Sequence, residues 1–390
     1  RGEEKGEGEE GHRGGPVRHA NPIGRWLISS FGRGTDKYAP RPSLGVDRDD
    51  EAGPQSHVEV PLQADAGGGR VRCGVCVRGC TMRPGQRGFC GARANVGGRL
   101  VALSYGRLSV SEPRPMEIKP LFHYHPGERA LTISGWGCDL ACPWCQNHEL
   151  SRGRIEPSAR VVPPEEVVSD AVFHDATGLC VSFNEPTTLF EYSLDLFRAG
   201  ARAGLFGCWV TNGVVTPEAL RLLAGAGMDG MVVSVKGDAL TYARHCALPH
   251  GDEAAWATIE GALALGMWVE VVYLIVPKVN DSTGQVGEVI DRHLERAGPE
   301  VPLHFTRYHP AHRYTEGATP IRDVLEARGR AADAGVRWAY VGNVPGSRWE
   351  STYCPACGEL LIRRGMGRLL ESRLEEGDRC ACGEAVPLRR

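Results

Sequence analysis

The sequence predicts an α/β fold, a partial (β/α)6 barrel with a small cysteine-rich module at each end. Three observations predict it. Apolar runs rich in β-branched and aromatic residues recur at Leu179 to Phe183, Cys208 to Thr211, Met231 to Val235, Trp268 to Val276 and Leu303 to Tyr308, which is how strands read. Segments of helical period, such as Pro217 to Ala226 and Glu253 to Leu265, lie between them, and strands alternating with helices imply a parallel sheet. A length of 390 residues exceeds one ordinary domain and leaves room for a barrel plus appendages.

Residues 1–66 are rich in Gly, Glu, Arg, Asp and Pro without a sustained hydrophobic period, so disorder is expected there. One apolar patch, Trp26-Leu27-Ile28, could dock locally. The first residue is Arg1 and no signal-peptide core follows it, so a trimmed reading frame and a cytoplasmic protein are expected. Residues 67–115 form a module with the run Cys73-x2-Cys76-x3-Cys80-x9-Cys90. Four thiolates so close in sequence can close a tetrahedral zinc site or an iron-sulfur cluster, and spacing alone does not choose.

The barrel is expected over residues 116–346. Its first strand, Leu131 to Ser134, ends in glycines and feeds the loop GCDLACPWCQN; Pro163-Pro164 then opens a helix. In β/α barrels the chemistry sits at the carboxyl ends of the strands, and this loop falls at such an end. Trp338 to Val341 adds a short seventh strand. Residues 347–390 carry Cys354-x2-Cys357-Gly and Cys380-x-Cys382-Gly, two knuckles that resemble a zinc ribbon and point to structural zinc. The second knuckle is one residue shorter than usual.

A formal charge of −3 gives no electrostatic argument for nucleic acid or an anionic membrane surface. No apolar run approaches the roughly 20 residues that span a bilayer. Eleven of the fourteen cysteines fall in three clusters, which in a large chain points to metals rather than disulfides. Cys180, Cys208 and Cys246 stand apart and are expected to pack in the core.

Cys138, Cys142 and Cys145 are spaced Cys-x3-Cys-x2-Cys. Three thiolates on one loop can hold three irons of a 4Fe-4S cubane and leave the fourth iron open to a cofactor or substrate. A structural zinc loop is the alternative, but zinc sites are usually built from paired knuckles that complete four ligands. Other strand ends are polar. Asn184, Glu185 and Thr187 follow the second strand, and Glu185 could accept a charge-assisted hydrogen bond from an ammonium; a helix-capping turn is the plainer reading. Asn212 ends the third strand. Ser234 and Lys236 share one side of the fourth, and Asn280 follows the fifth.

The cysteine spacing, with Trp144 before the last cysteine, resembles that of radical S-adenosylmethionine (SAM) enzymes. The combined segments YGRLSVSEPRPMEIKPLFHYHPG, GCDLACPWCQN, SFNEPTT, HFTRYHP, YVGNVPG and TYCPACG resemble the radical SAM protein of the AmmeMemoRadiSam system over roughly residues 70–370. The resemblance implies a catalytic 4Fe-4S cluster on Cys138, Cys142 and Cys145. It also implies SAM bound through Trp144, Asn184, Glu185, Thr187, Asn212, Ser234, Lys236 and Asn280, and a 5'-deoxyadenosyl radical that abstracts hydrogen. Implied partners are a reductant such as flavodoxin or ferredoxin, and Memo-like and AMMECR1-like proteins. Kinship to pyruvate formate-lyase activating enzymes is implied as well. In glycyl-radical activating enzymes the fourth strand reads Asp-x-Lys, whereas Ser234 stands here, and Pro277-Lys278 replaces Pro-Gly. Glu117, Lys119, His123, His125, Gln146, Asn147, Arg307, His309 and Asn343 make up the expected substrate shell. Two other readings compete: a glycyl-radical activase, and a non-catalytic zinc module that binds a partner through its cysteine-rich ends.

Overall fold

The computed structural model describes residues 58–155 and 159–390. The Trp26-Leu27-Ile28 patch and most of the stretch expected to be unstructured lie outside those residues. Within that stretch, β1 (Val58–Glu59) and β2 (Gln63–Asp65) are strands, which moves the start of order earlier than composition predicted. The cause is burial. Val60 is fully buried and its N–H donates to the Leu100 carbonyl at 3.0 Å. Four more short strands, β3 (Val71–Cys73), β4 (Thr81–Met82), β5 (Arg93–Val96) and β6 (Arg99–Ala102), complete two antiparallel sheets ordered β1-β6-β5 and β2-β3-β4.

Next comes β7 (Val110–Pro115), which pairs antiparallel with β8 (Arg129–Ser134) and forms one edge of the main sheet. Its prolines suit that place, because a residue without an N–H is tolerated in an edge strand. Beyond β8 the sheet is parallel and runs in chain order through β9 (Gly178–Val181), β10 (Phe206–Thr211), β11 (Gly230–Val235), β12 (Trp268–Ile275), β13 (Leu303–Arg307) and β14 (Ala339–Gly342). These seven parallel strands are the six expected ones plus the short seventh; the antiparallel β7 is an addition.

The helices are α1 (His148–Arg152), α2 (Pro164–Phe173), α3 (Phe190–Arg202), α4 (Pro217–Gly225), α5 (Ala239–His245), α6 (Gly251–Ala264), α7 (Thr283–Arg296) and α8 (Ile321–Asp333). Local sequence starts them. Pro164 and Pro217 occupy first helical positions, where no N–H is needed, and Thr216 and Ser282 accept from the backbone N–H groups of Ala219 and Gln285. Apolar strand residues such as Leu179, Trp209, Met231, Val271 and Phe305 join one large core with helical residues Phe197, Leu223, Trp256 and Val324.

The opposite face of the sheet is filled by chain rather than by helices. Met116, Leu121 and Tyr124 pack on Ala130, Cys180, Cys208, Val232 and Val272. Side chains alternate along strands, so this second core lies inside the barrel, toward the strand starts. Gly230 permits the approach: a Cβ there would sit 2.5 Å from the Tyr124 ring. Glu270, fully buried on β12, anchors the plug by accepting from His123 N at 2.8 Å, Phe122 N at 3.0 Å and His304 Nε2 at 2.7 Å. A last antiparallel sheet, β15 (Thr352–Tyr353), β16 (Leu360–Gly365) and β17 (Arg368–Ser372), packs on the plug through Phe122, Tyr340 and Leu361.

Candidate active site

The loop that leaves β8 carries the three clustered cysteines, and the ends of β9, β10, β11 and β12 deliver Glu185, Asn212, Lys236 and Asn280 around the same mouth. Gly137 lets the loop turn. Its φ is +90° and a Cβ would lie 2.1 Å from the Cys90 carbonyl oxygen, so only glycine fits. Asn184 braces the turn with every polar atom it has. Its Oδ1 accepts from Ser134 Oγ at 2.8 Å and Gly135 N at 3.1 Å; its Nδ2 donates to Gly137 O at 2.9 Å and Thr188 Oγ1 at 3.1 Å.

Asp139, the residue after Cys138, is the second brace. Its buried carboxylate accepts from Thr187 Oγ1 at 2.8 Å and Asn212 Nδ2 at 2.7 Å. Glu185 accepts from Thr211 Oγ1 at 2.7 Å, Asn212 N at 2.9 Å and Thr187 N at 3.2 Å. All three donors are neutral. Burial, with the neighbouring Asp139 charge, pushes Glu185 up to about 8, and burial raises Asp139 as well. A cation placed beside such a carboxylate would return it to its charged form.

The sulfur atoms occupy different surroundings. Cys138 Sγ receives Leu140 N–H at 3.4 Å, and burial, then Asp139 and Glu185, hold its thiol well above the usual range. Cys145 lies 3.6 Å from Ser151 Oγ and is raised by burial. Cys142 meets Cys246 Sγ at 3.5 Å; that hydrogen bond, against burial and helped by Lys236 and Arg152, draws Cys142 down to about 7. Buried thiols that resist ionisation yield their protons when a metal ion takes the sulfur. Lys236 acts on Cys142 and Cys145, and Arg152 on Cys142, so positive charge on that side of the trio suits an anionic iron-sulfur centre.

Several expected SAM residues are already committed to one another. Lys236 Nζ donates to Ser234 Oγ at 2.7 Å, so the two residues do share a face. Asn280 is fully buried; Oδ1 accepts from Val276 N at 2.6 Å, while Nδ2 donates to Lys236 O at 2.8 Å and Leu274 O at 2.9 Å. It ties the ends of β11 and β12. Trp144 is buried against His245 and Tyr314.

The expected substrate shell divides in two. Gln146, Asn147, Arg307, His309 and Asn343 ring the mouth: Gln146 donates to His309 O, Asn147 to Phe183 O and Asn343 to Arg307 O. Glu117, Lys119 and His123 are buried in the plug at the other end of the barrel, and His125 stacks on Phe206 at 3.9 Å. Their place corrects the expectation, and its cause is the turn of segment 116–125 into the barrel. Sequence reasoning passed over Asp139, although it adjoins Cys138. It also missed Cys246, more than a hundred residues from Cys142 in sequence and without a local signal. Cys180 and Cys208, expected to stand alone, are register partners on β9 and β10.

The carboxyl-terminal cysteines gather tightly. Cys354 and Cys382 lie 3.6 Å apart, Cys357 and Cys380 lie 3.6 Å apart, and all four sulfurs fall within 4.8 Å of one another. A tetrahedral zinc with Zn–S near 2.3 Å separates its sulfurs by about 3.8 Å, so the short second knuckle closes the set. The positive φ of Gly358 and Gly383 turns the chain after each knuckle.

Among the described residues no helix is long and apolar enough to cross a membrane. Residues 132–290 match the radical SAM superfamily profile. Uncharacterized protein MJ0808 of Methanocaldococcus jannaschii is 36% identical over 323 residues, which cover 82% of this chain and 96% of that protein. A radical SAM methyltransferase from Sphaerobacter thermophilus superposes with a TM-score of 0.45 at 16% identity over 60% of this chain and 71% of its own. SuiB of Streptococcus suis gives 0.43 at 16% identity over 55% of this chain and 48% of its own, so the chain spans about half of SuiB. Residues 132–290 of the chain are thus a radical SAM superfamily domain.

Proposed function

We propose that this protein is a cytoplasmic radical SAM enzyme of the AmmeMemoRadiSam type, acting on a substrate delivered to the mouth of the barrel. The observation that carries the reading is the thiol trio beside Glu185, a buried carboxylate supplied by neutral donors only. With SAM, a 4Fe-4S cluster on Cys138, Cys142 and Cys145 supplies one-electron cleavage to a 5'-deoxyadenosyl radical that abstracts hydrogen. Glu185 receives the SAM ammonium. Lys236 places positive charge beside the thiolates and the SAM carboxylate. Asn184 and Asp139 hold the loop's shape, and Asn280 fixes the backbone of Lys236. The plug shuts the barrel from below, which keeps water and other hydrogen donors from that side. A flavodoxin or ferredoxin supplies electrons, and Memo-like and AMMECR1-like proteins are the expected partners.

The decisive experiment is anaerobic reconstitution with iron and sulfide, followed by SAM and dithionite. The expected product is 5'-deoxyadenosine, and its absence in protein that carries the cluster overturns the reading. Glu185→Gln is expected to weaken SAM binding by roughly 10- to 100-fold, the worth of a hydrogen bond to a charged group. Calorimetric titration with SAM on folded variant checks it.

The ribbon is proposed to hold structural zinc. Cys357→Ser is expected to remove one zinc per chain and to lower the thermal midpoint by roughly 5–10 °C, as loss of a structural metal lowers folding free energy. Elemental analysis and calorimetry read both effects.

A further inference from the structure

We propose that the amino-terminal module presents a cationic docking face for an acidic one-electron carrier protein, centred on Arg78 and Phe89 beside the Cys138 loop. The electron's destination rests on the radical SAM reading, whereas the face itself stands on charge and geometry.

The whole-chain charge of −3 conceals a one-sided stretch. Residues 66–111 contain eight arginines and no Asp, Glu or Lys, a charge asymmetry that suits a partner of opposite sign. Folding uses only part of it. Arg93 is buried against Glu191, and Arg99 pairs with Glu59. Arg70, Arg72 and Arg83 are exposed and Arg78 is half-buried; among the described residues none of these four lies within ion-pair distance of a carboxylate. They are contiguous. The Arg72 guanidinium lies 3.1 Å from the would-be Cβ of Gly79, next to Arg78, and Pro84, next to Arg83, lies 3.3 Å from that of Gly69, next to Arg70. Arg72 and its register partner Thr81 are both exposed, so they share the outer face of β3 and β4.

The face has an apolar centre. Phe89 and Val77 are 45% and 41% exposed, and the Arg78 guanidinium covers the Phe89 ring at 3.7 Å. An aromatic centre with a charged rim is how protein–protein contacts are built, and the rim charges steer the partner in. The centre is also tied to the candidate active site. Arg78 donates to Asp139 O at 2.9 and 2.6 Å and to Ala247 O at 2.8 Å, and the carbonyl of Cys90, next to Phe89, packs on Gly137. The face thus grips the backbone on both sides of Cys138. Helix α5, which ends shortly before Ala247, adds Arg244 and His245 in its last turn. A nucleic acid would meet the same charge, but it brings no electron to the loop it would cover. A small acidic protein of the flavodoxin or ferredoxin class does. In its reduced form the carrier loses one electron, the three-cysteine cluster gains it, and no bond forms or breaks in the transfer.

The test uses the full chain, reconstituted without oxygen, with flavodoxin and ferredoxin tried in turn as the carrier. Wild type is expected to bind one of them with an affinity that falls at least about tenfold between about 0.02 M and about 0.3 M salt. Arg72→Glu/Arg83→Glu, with iron and zinc per chain unchanged, should bind that carrier at least about tenfold more weakly. The same change of charge on the ribbon, Arg363→Glu/Arg368→Glu, should bind it as wild type does. Should the first variant lose metal, Arg72→Gln/Arg83→Gln reads the same loss at smaller size. Stopped-flow reduction of the cluster by the reduced carrier should slow in step with affinity, whereas dithionite, which needs no docking face, reduces variant and wild type alike. Equal affinity and equal rates in wild type and Arg72→Glu/Arg83→Glu overturn the docking face. So does a single-stranded oligouridine that binds wild type more tightly than either carrier and loses that affinity in the same variant. If docking behaves as expected while dithionite yields no 5'-deoxyadenosine in cluster-bearing wild type, the radical SAM reading fails and the face stands. If 5'-deoxyadenosine forms while carrier binding ignores both arginines, the face fails and the reading stands.

Discussion

Replacing Cys138, Cys142 and Cys145 together by alanine should abolish 5'-deoxyadenosine formation, to the level of a protein-free control, and remove about four irons per chain. The fold should survive. The loop is held by Asn184 to Gly135 and Gly137, by Asp139 to Thr187 and Asn212, and by Ala141 N to Cys246 O at 3.0 Å, none of which uses a thiol of the three. Loss of product with retained circular dichroism and retained zinc would therefore locate the chemistry. Product formation that survives the triple change would place it elsewhere.

The largest expected effect on stability belongs to Glu270→Ala. Four donors converge on this carboxylate, the fourth being the half-buried Trp268 Nε1 at 3.3 Å, and the bonds from Phe122, His123 and His304 are buried. Removing one partner of a buried ionic group costs about 3–5 kcal/mol, a large share of the 5–15 kcal/mol typical of a folded domain. Urea unfolding should show the loss, and Glu270→Gln, which keeps one acceptor, should lose less. Acid should act in the same direction. Burial opposes it, but His304 and the surrounding donors hold Glu270 below the usual carboxylate range, so its contribution is present above about pH 4.3 and fades as pH falls through the folded value. Burial holds His123 and His293 at about 4. Between about pH 6.5 and 4 the unfolded chain binds protons that these two imidazoles refuse in the fold, and stability falls with pH across that window. A urea midpoint that rises on acidification would contradict this account.

The barrel was legible because its strands are apolar on both faces and its helices keep their period, a pattern that survives without tertiary information. The Cys138 loop was legible because its three cysteines are close in sequence. The plug was not. Met116, Leu121 and Tyr124 carry no strand or helix period, and only the assembled sheet shows what they fill. The antiparallel β7 was hidden by Pro113 and Pro115, which argue against a strand unless it lies at an edge. Arg78, Cys246 and Glu270 act across 61, 104 and 148 residues of sequence, distances at which a single chain gives no pattern.

The plug also meets the segment that follows the ribbon's second knuckle. His125 N donates to Arg389 O at 2.7 Å, Arg389 N donates to His123 O at 2.9 Å, and Arg364 of the ribbon donates to Phe122 O at 2.5 Å. The barrel is thus a cup whose floor is clamped from outside by the tail. Removing Arg389 and its neighbours should loosen that floor and admit solvent from beneath, which would disturb the barrel interior from the side opposite the cysteine loop.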